Sequence, residues 1–421
     1  MKFVCLQCGR EAPFSERGLY RCGCGGLFDV LHDYSRTDAE QLKRLFDARL
    51  SERNTPLSGG VWRYKELIHP ELPVDRIITK YEGNTGLYEN ESLRKAAGVR
   101  RLWMKAQSEN PSGSFKDNGM TVAVSHGLWL GYERLACTST GNTSSSMAMY
   151  AALANAEAVI FLPAEGVSQN KALQTEAYGA RMVRTEGGYD DGIVFLDRYA
   201  ESLGLYVCNS INPLRIEGQK SIVFELAHQM RWKLPDWIVL PGGALSNASA
   251  LGKGLAELRE IGLIDSAPRI AVIQAEGASP FHRMVRSGQR SLSPTPKPDT
   301  VASALRIGNP PNWPKALRYA IDNANGVTAS VTDEEILEAK ALIDRCGIGC
   351  EPASAATLAG LRRLVAGGTI GSDETVACVL TGNLLKDTEA IERALRLGAT
   401  NTVETPAPAK LSPEIIRGML L

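Results

Sequence analysis

Short apolar runs alternate with longer stretches of helical spacing along most of the chain. Between residues 101 and 203, strand-like runs at 101–105, 133–138, 158–163 and 181–185 are each followed by a predicted helix. Two later runs, at 237–240 and 376–380, are apolar throughout, as in strands that are buried on both faces. Thr332 and Glu335 have the spacing of a capping box at a helix start. This order predicts open, mostly parallel twisted α/β sheets with helices on both faces.

The composition is that of an ordinary globular protein. A chain of 421 residues with 44% hydrophobic and 22% charged residues can form two sizeable cores. Its formal net charge is zero, which disfavours nucleic acid and anionic membranes as partners. Because no apolar run could cross a bilayer and the first residues lack a signal-peptide core, we expect a cytoplasmic protein.

Four of the nine cysteines lie close to the N-terminus, as the pairs Cys5-x2-Cys8 and Cys22-x-Cys24. Two close pairs around a hairpin-sized insert are typical of a zinc ribbon, in which four thiolates hold a tetrahedral ion. Residues 1–31 are also too few to fold by burial alone, which favours a metal. The second pair is one residue shorter than usual, so a ribbon that keeps its fold without metal is the alternative.

Lys116 lies in a polar turn between a predicted strand and a predicted helix. The start of a helix favours anions, so a lysine there is unusual. Its position is easier to explain if the amine forms an imine with a carbonyl cofactor, although a solvated surface lysine is the alternative. The turn reads Asn110-Pro111-Ser112-Gly113-Ser114-Phe115-Lys116-Asp117.

This turn resembles the pyridoxal-phosphate lysine segment of the threonine synthases, which belong to the tryptophan-synthase-β-like group of enzymes. Further stretches resemble the family in the same order, at 81–88, 139–146, 209–220, 302–310, 349–356 and 381–387. The resemblance implies the fold of type II pyridoxal-phosphate enzymes. We therefore expect a ribbon-like segment over 1–31, a smaller α/β domain over 105–204, and a larger one formed by 32–104 and 205–421.

The resemblance also implies a set of cofactor residues around Lys116 and its neighbour Phe115. Asn142 would bind the ring oxygen of pyridoxal phosphate, although alone its hydroxyl-rich turn could be a plain helix cap. Thr381 would face the ring nitrogen, although a threonine at a strand end often reflects β-propensity alone. A small-residue turn would hold the cofactor phosphate at a helix start, or could simply be sterically favourable. It comprises Gly242, Gly243, Ala244, Leu245, Ser246 and Asn247.

Two further groups would hold the substrate. The resemblance assigns Ser139, Thr140 and Thr143 to substrate binding. It assigns the substrate phosphate to Asn209, Ser210 and Arg215, a combination suited to an anion through charge-assisted hydrogen bonds. The alternative for this second group is a surface loop with one solvated arginine.

The implied reaction converts O-phospho-L-homoserine to L-threonine and phosphate, with Lys116 as the general base. We expect a homodimer acting on this small phosphorylated amino acid. A related enzyme that eliminates or replaces a β-substituent of phosphoserine, serine or threonine is one alternative, and a non-catalytic binding protein is another. For Glu351 and Ser354 we expect only packing and capping near the cleft. The chain departs from the family at Gly86, Asn118, Leu245, Asn383 and Leu384.

Overall fold

The computed structural model describes residues 1–139, 141–163, 169–397, 414 and 417. Its strands, in chain order, are β1 Lys2–Cys5, β2 Glu11–Pro13, β3 Phe28–Leu31, β4 Leu87–Glu89, β5 Arg101–Ala106, β6 Arg134–Thr138, β7 Glu157–Pro163, β8 Arg181–Thr185, β9 Leu205–Val207, β10 Trp237–Pro241, β11 Arg269–Ala275, β12 Val327–Val331 and β13 Thr375–Leu380. They form three sheets.

The α-helices pack around these sheets. In chain order they are α1 Ala39–Ser51, α2 Lys65–Ile68, α3 Glu91–Ala97, α4 Lys116–Trp129, α5 Asn142–Leu153, α6 Gln169–Ala177, α7 Tyr189–Tyr199, α8 Pro213–Gln219, α9 Ser221–Gln229, α10 Ser246–Ile261, α11 Pro280–Arg286, α12 Trp313–Ala316, α13 Asp333–Arg345, α14 Pro352–Ala366 and α15 Thr388–Leu397. The capping box predicted at Thr332 and Glu335 is confirmed at the start of α13. Within the described ranges, no helix is both long and apolar enough to cross a membrane.

The two larger sheets are mostly parallel, as the alternation of strands and helices predicts. The large sheet has the order β12-β11-β10-β13-β5-β4, in which only the edge strand β4 is antiparallel. The small sheet has the order β8-β7-β6-β9 and is parallel throughout. The predicted domain boundary after residue 204 falls just before β9, which pairs with β6 of the small sheet. The division into domains stays a prediction.

The apolar runs at 237–240 and 376–380 are buried because each face of the large sheet has its own core. Successive side chains of a strand point to opposite faces. In β10, Ile238 and Leu240 belong to one hydrophobic cluster, whereas Trp237 and Val239 belong to the other. The second cluster is formed with α13 and α14, so helices cover both faces of this sheet.

The third sheet, β2-β1-β3, is antiparallel and belongs to the N-terminal segment. It docks on α8, α10 and α12 through a buried, charge-balanced cluster of three lysines and three carboxylates. Asp29 of the segment lies 3.0 Å from the Nζ atom of Lys253 in α10 and 3.6 Å from that of Lys315 in α12. The remaining members are Lys220, Glu217 and Glu257. The N-terminal segment is thus an integral part of the fold.

Candidate active site

Backbone hydrogen bonds join the turn that contains Lys116 to the end of β13. The N–H of Phe115 donates to the carbonyl of Thr381 at 2.9 Å, and that of Asn383 donates to the carbonyl of Gly113 at the same distance. Lys116 is the first residue of α4. Two chain segments that are far apart in sequence are thereby brought to one cleft, with the lysine amine and the threonine hydroxyl on neighbouring walls.

Lys116 is half-buried, and its ammonium form is disfavoured. Burial lowers its pKa to about 7, assisted by the positive charges of Arg215 and Lys171, while Glu351 acts in the opposite direction. The Nζ atom lies 4.1 Å from the centre of the Phe115 ring. At neutral pH, about half of such an amine is unprotonated and can act as a nucleophile.

A cleft that is partly open to solvent lies next to Lys116. All of the predicted cofactor residues except Gly242 line it: Phe115, Lys116, Asn142, Gly243, Ala244, Leu245, Ser246, Asn247 and Thr381. Gly242 lies directly behind the lining, where its N–H donates to the carbonyl of Ile273 at 2.6 Å. The predicted substrate residues that the structure describes lie outside this lining.

One wall of the cleft is the start of α10. Leu245, the residue before the helix, is buried and has a φ of 64°, a left-handed conformation that usually belongs to glycine. No side chain caps the helix, and both amide atoms of the buried Asn247 have no hydrogen-bond partner among the described residues. A Cβ atom on Gly243 would lie 2.5 Å from the Ala304 carbonyl oxygen. The turn thus leaves unpaired donors at a helix start, which is suited to an anion.

The hydroxyl-rich turn before α5 does not act as a plain helix cap. The residue in the capping position is Gly141, and no side chain caps the helix. Asn142 instead points its amide nitrogen at Glu351, with both carboxylate oxygens 3.1 Å away. Its Oδ1 atom is buried and has no hydrogen-bond partner within the described part of the chain. An unpaired buried acceptor beside the cleft is expected where a ligand completes the pairing.

The hydroxyl of Thr381 has its direction set by Ser354. The Ser354 Oγ atom accepts hydrogen bonds from the backbone N–H groups of Thr381, at 2.8 Å, and Gly382, at 3.0 Å. These two bonds use both lone pairs of the oxygen, so its own hydrogen must point to the Thr381 Oγ1 atom 3.0 Å away. The Thr381 hydroxyl hydrogen is therefore available to donate into the cleft.

The predicted substrate residues that the structure describes lie around the start of α5 and in the segment from β9 to α8. Ser139 is buried, and its Oγ atom accepts from the Gly141 N–H at 3.1 Å, while Thr143 is half-buried in the first turn of α5. Thr140 lies outside the described residues. Asn209 uses its amide to bridge both backbone groups of Thr138 at the end of β6.

Arg215 is fully buried in α8 and does not lie in a surface loop. One of its guanidinium nitrogens donates to the Cys208 carbonyl at 2.6 Å. Helices α8 and α4 approach each other closely at Gly119, where a Cβ atom would lie 2.5 Å from the Arg215 carbonyl oxygen. Ser210, in the turn between β9 and α8, has a buried hydroxyl with no partner among the described residues. This group supplies a cation and a polar hydrogen-bonding group close to Lys116.

The five departures from the family pattern have local explanations. A Cβ atom on Gly86 would clash with the Tyr88 ring at 2.3 Å, and the left-handed Leu245 shapes the turn before α10. Asn118 is buried and donates to the Ser221 hydroxyl at 2.9 Å. Asn383 caps a short 3₁₀ turn by accepting from the Leu385 N–H, and Leu384 packs against Gly349.

The four N-terminal cysteines come together away from this cleft. The sulfur atoms of Cys5, Cys8, Cys22 and Cys24 all lie within 4.8 Å of one another. The Cys5–Cys24 distance is 3.5 Å and the Cys8–Cys22 distance is 3.6 Å. A tetrahedral zinc ion with Zn–S bonds of about 2.3 Å would require sulfur atoms about 3.8 Å apart, close to the spacing found. A Cβ atom on Gly26 would lie 2.8 Å from the Cys5 sulfur, which explains the glycine there.

A second group with metal-binding side chains contains His32, Glu217 and Glu257. The ammonium of Lys220 lies 2.6 Å from each of the two carboxylates. This lysine provides the positive charge that a metal would otherwise supply, so we assign no metal to the group.

Sequence reasoning missed four residues that shape the cleft. The side chain of Glu351 does not cap α14, so the expectation of a cap was wrong there. Ser354 is buried beside the cleft as expected, and in addition it contacts the Thr381 hydroxyl. Lys171 is buried and pairs with Glu351 at 3.2 Å. Asn312 joins the two sides, because its N–H reaches the Ala244 carbonyl and its side chain donates to the Ser210 carbonyl. Only the match to the family at 349–356 pointed to any of these positions.

Comparison with known proteins places the chain among cofactor-dependent enzymes. The family model described as pyridoxal-phosphate dependent enzyme matches residues 78–382. A threonine synthase of Methanosarcina acetivorans is 45% identical over 92% of this chain and 92% of its own length. One of Methanocaldococcus jannaschii is 41% identical over 93% and 94%. The solved threonine synthase of Escherichia coli, at 19% identity, has the same fold with a TM-score of 0.72 over 99% of this chain and 94% of that one.

Proposed function

This chain belongs to the pyridoxal-phosphate dependent enzymes and, within them, to the threonine synthases, and from that premise we propose how its own residues carry out the reaction. The chain is a lyase. The substrate we propose is O-phospho-L-homoserine, and the products are L-threonine and phosphate. The observation that carries the proposal is Lys116, an amine with a pKa of about 7 that lines a cleft with Asn142, Thr381 and the start of α10.

The residues of the cleft fit pyridoxal phosphate at four points. Lys116 would hold the aldehyde carbon. The uncapped start of α10 with the unpaired Asn247 would hold the phosphate, and Asn142 would contact the ring oxygen. Thr381 would donate its free hydroxyl hydrogen to the ring nitrogen. The Oδ1 atom of Asn142 and both amide atoms of Asn247 are buried without a hydrogen-bond partner among the described residues, and the Thr381 hydroxyl hydrogen is available to donate.

When bound, pyridoxal phosphate supplies a conjugated ring that withdraws electrons from bonds to the substrate Cα. The amine of Lys116 would remove protons from the substrate Cα and Cβ atoms and would return protons at Cγ and Cα. A pKa near 7 suits both directions of transfer, because the amine is about equally able to accept and to donate at neutral pH. Thr381, whose hydroxyl is held by Ser354, would offer the ring nitrogen an uncharged donor, so the bound group would supply a neutral rather than a protonated ring.

The substrate phosphate would be bound by the group at the start of α8. Arg215 offers a fixed positive charge close to Lys116, Ser210 offers a hydroxyl, and Asn209 keeps one amide hydrogen beyond those used on Thr138. Ser139, Thr140 and Thr143, around the first turn of α5, would hold the substrate carboxylate. With its phosphate held there, the substrate loses phosphate from Cγ, and water then adds at Cβ.

A comparison of substrates tests this assignment. We expect phosphate release from O-phospho-L-homoserine with threonine as the amino-acid product, and much slower release from O-phospho-L-serine. The purified protein should be yellow, with absorption at about 410 to 420 nm from the covalently bound cofactor. Lys116→Ala should abolish both the colour and turnover, whereas the matched variant of the exposed Lys95, Lys95→Ala, should keep both. A preference for phosphoserine would instead favour a β-eliminating enzyme.

We further propose that Cys5, Cys8, Cys22 and Cys24 bind structural zinc. The sulfur spacing supports this assignment, and so does the compact turn that Gly26 allows. Elemental analysis of the purified protein should give about one zinc per chain, and Cys8→Ser should remove it. A chain that holds no zinc and keeps its stability in a strong chelator would contradict the assignment. A cytoplasmic location and assembly as a homodimer stay predictions.

A further inference from the structure

Glu351 occupies an unusual position for an acidic residue. It immediately precedes α14, yet its side chain makes no hydrogen bond to the start of that helix. The carboxylate turns into the cleft and is 1% exposed. Gly382 provides the room, because a Cβ atom there would lie 2.3 Å from a carboxylate oxygen. Burying a carboxylate is costly unless it is paired, so its partners indicate its use.

Those partners are Asn142 and Lys171. Both carboxylate oxygens lie 3.1 Å from the amide nitrogen of Asn142, and one lies 3.2 Å from the ammonium of Lys171. Burial raises the pKa of Glu351, but Lys171 and the Asn142 amide more than offset this, and the pKa lies below its ordinary value. The group is therefore an ionised carboxylate at neutral pH.

An ionised carboxylate accepts hydrogen bonds and donates none. The atom of Asn142 that faces it must therefore be the nitrogen, which fixes the orientation of the whole amide. The opposite atom, Oδ1, is left buried without a partner among the described residues. The charge of Glu351 thus determines that the Asn142 amide turns its oxygen, and not its nitrogen, away from the carboxylate and toward the cleft.

The same contact joins the two halves of the cleft. Asn142 belongs to α5 and Lys171 to α6, and these two helices connect consecutive strands of the small sheet. Glu351 precedes α14, which packs on the large sheet, and Lys171 also donates to the hydroxyl of Ser303 at 3.1 Å. The aliphatic stem of Lys171 approaches Gly141, where a Cβ atom would lie 3.9 Å from it.

We propose that Glu351 is a positioning residue for the cofactor. It orients the Asn142 amide toward the ring and, through Lys171, holds the small-sheet wall of the cleft against the large-sheet wall. The inference rests on the proposed binding of pyridoxal phosphate but is independent of the identity of the substrate. It assigns no proton transfer to Glu351.

A double-mutant cycle on cofactor affinity tests the link to Asn142. Apoprotein would be titrated with pyridoxal phosphate for the wild type, Glu351→Gln, Asn142→Ala and the double variant. Loss of one hydrogen bond to a charged group predicts that Glu351→Gln weakens binding about tenfold or more. If Glu351 acts through Asn142, the double variant binds within about twofold of Asn142→Ala. The inference would be overturned if the losses of affinity in the two single variants multiplied in the double variant. It would also be overturned if Glu351→Gln bound the cofactor as tightly as the wild type.

A burial-matched control separates positioning from general stability. Glu82 is another fully buried carboxylate, held by Thr79 and Tyr150 outside the lining of the cleft. Glu82→Gln should change the unfolding temperature while leaving cofactor affinity and the absorption maximum unchanged. Glu351→Gln should shift the absorption maximum of the bound cofactor, and an unshifted maximum would count against the inference.

The ion pair with Lys171 has its own test in the apoprotein. Lys171→Met leaves a buried carboxylate with one cation fewer, so its unfolding temperature should fall. The charge-neutral double variant Lys171→Met/Glu351→Gln should recover part of that loss. An additive decrease would show that the pair does not join the two walls. If the wild type itself bound no pyridoxal phosphate, the proposed function would fail, whereas normal wild-type binding with unaffected variants would refute this inference alone.

Discussion

The pKa of Lys116 is the property of the proposed active site that can be tested most directly. A pKa of about 7 means that about half of the amine is neutral at pH 7, whereas a lysine with the usual pKa of about 10.4 is neutral in about one molecule in 2,500. Because a less basic amine is also a weaker nucleophile, this gain is partly offset, and Lys116 in the apoprotein should be acylated at neutral pH roughly tens of times faster than a free lysine peptide. The assay is competitive labelling with a limiting acylating reagent, read by peptide mass spectrometry from pH 5 to 10.

Two variants test the causes of this pKa, because they should move the labelling midpoint in opposite directions. Arg215→Gln removes a positive charge that lowers the pKa, so its midpoint should rise. Glu351→Gln removes a negative charge that raises it, so its midpoint should fall. A wild-type midpoint above pH 9, or shifts of the same sign in both variants, would refute the electrostatic description of this site.

Three further outcomes follow from buried groups. Asp29→Asn should lower the free energy of unfolding in urea by about 3 to 5 kcal/mol, because it leaves the buried cluster with one uncompensated positive charge, whereas Glu11→Gln, at an exposed ion pair, should cost less than about 1 kcal/mol. Ser354→Ala should weaken cofactor binding and lose this effect in a Thr381→Val background, since Ser354 acts through that hydroxyl; equal losses in both backgrounds would contradict this. Burial lowers the pKa of His126 to about 3, so the unfolded state binds its proton first, and stability should decrease as the pH falls from about 6.5 to 3. Between pH 7 and 5 this histidine alone should cost about 2 kcal/mol in urea unfolding, and a His126→Gln variant should lose correspondingly less.

Much of the fold could be predicted because its signals are local. The strand at 181–185 and the capping box at Thr332 follow from hydrophobic spacing and from hydrogen bonding within a single turn. The apolar runs of β10 and β13 indicate strands buried on both faces, as the two separate cores confirm. The helix that contains Arg215 was missed, although Asn212 before Pro213 is a common start signal for a helix.

The cleft was predictable only where the family resemblance named its residues. Lys116 and Thr381 could be paired in advance, but their closeness depends on backbone bonds between turns that no periodicity reveals. Glu351 and Lys171 meet across the cleft, and their pairing depends on how two sheets pack. A single sequence contains no record of such contacts, because neither residue type nor spacing distinguishes them from ordinary surface charges.

The charge-balanced cluster behind the N-terminal sheet limits how the molecule can be divided. A protein shortened to begin at residue 32 would lose Asp29, and Lys253 and Lys315 would be left without their shared carboxylate. If the N-terminal segment were grafted onto another protein, Asp29 would be left without its lysine partners. Evolution could therefore discard the N-terminal sheet only together with changes in the helices beneath it.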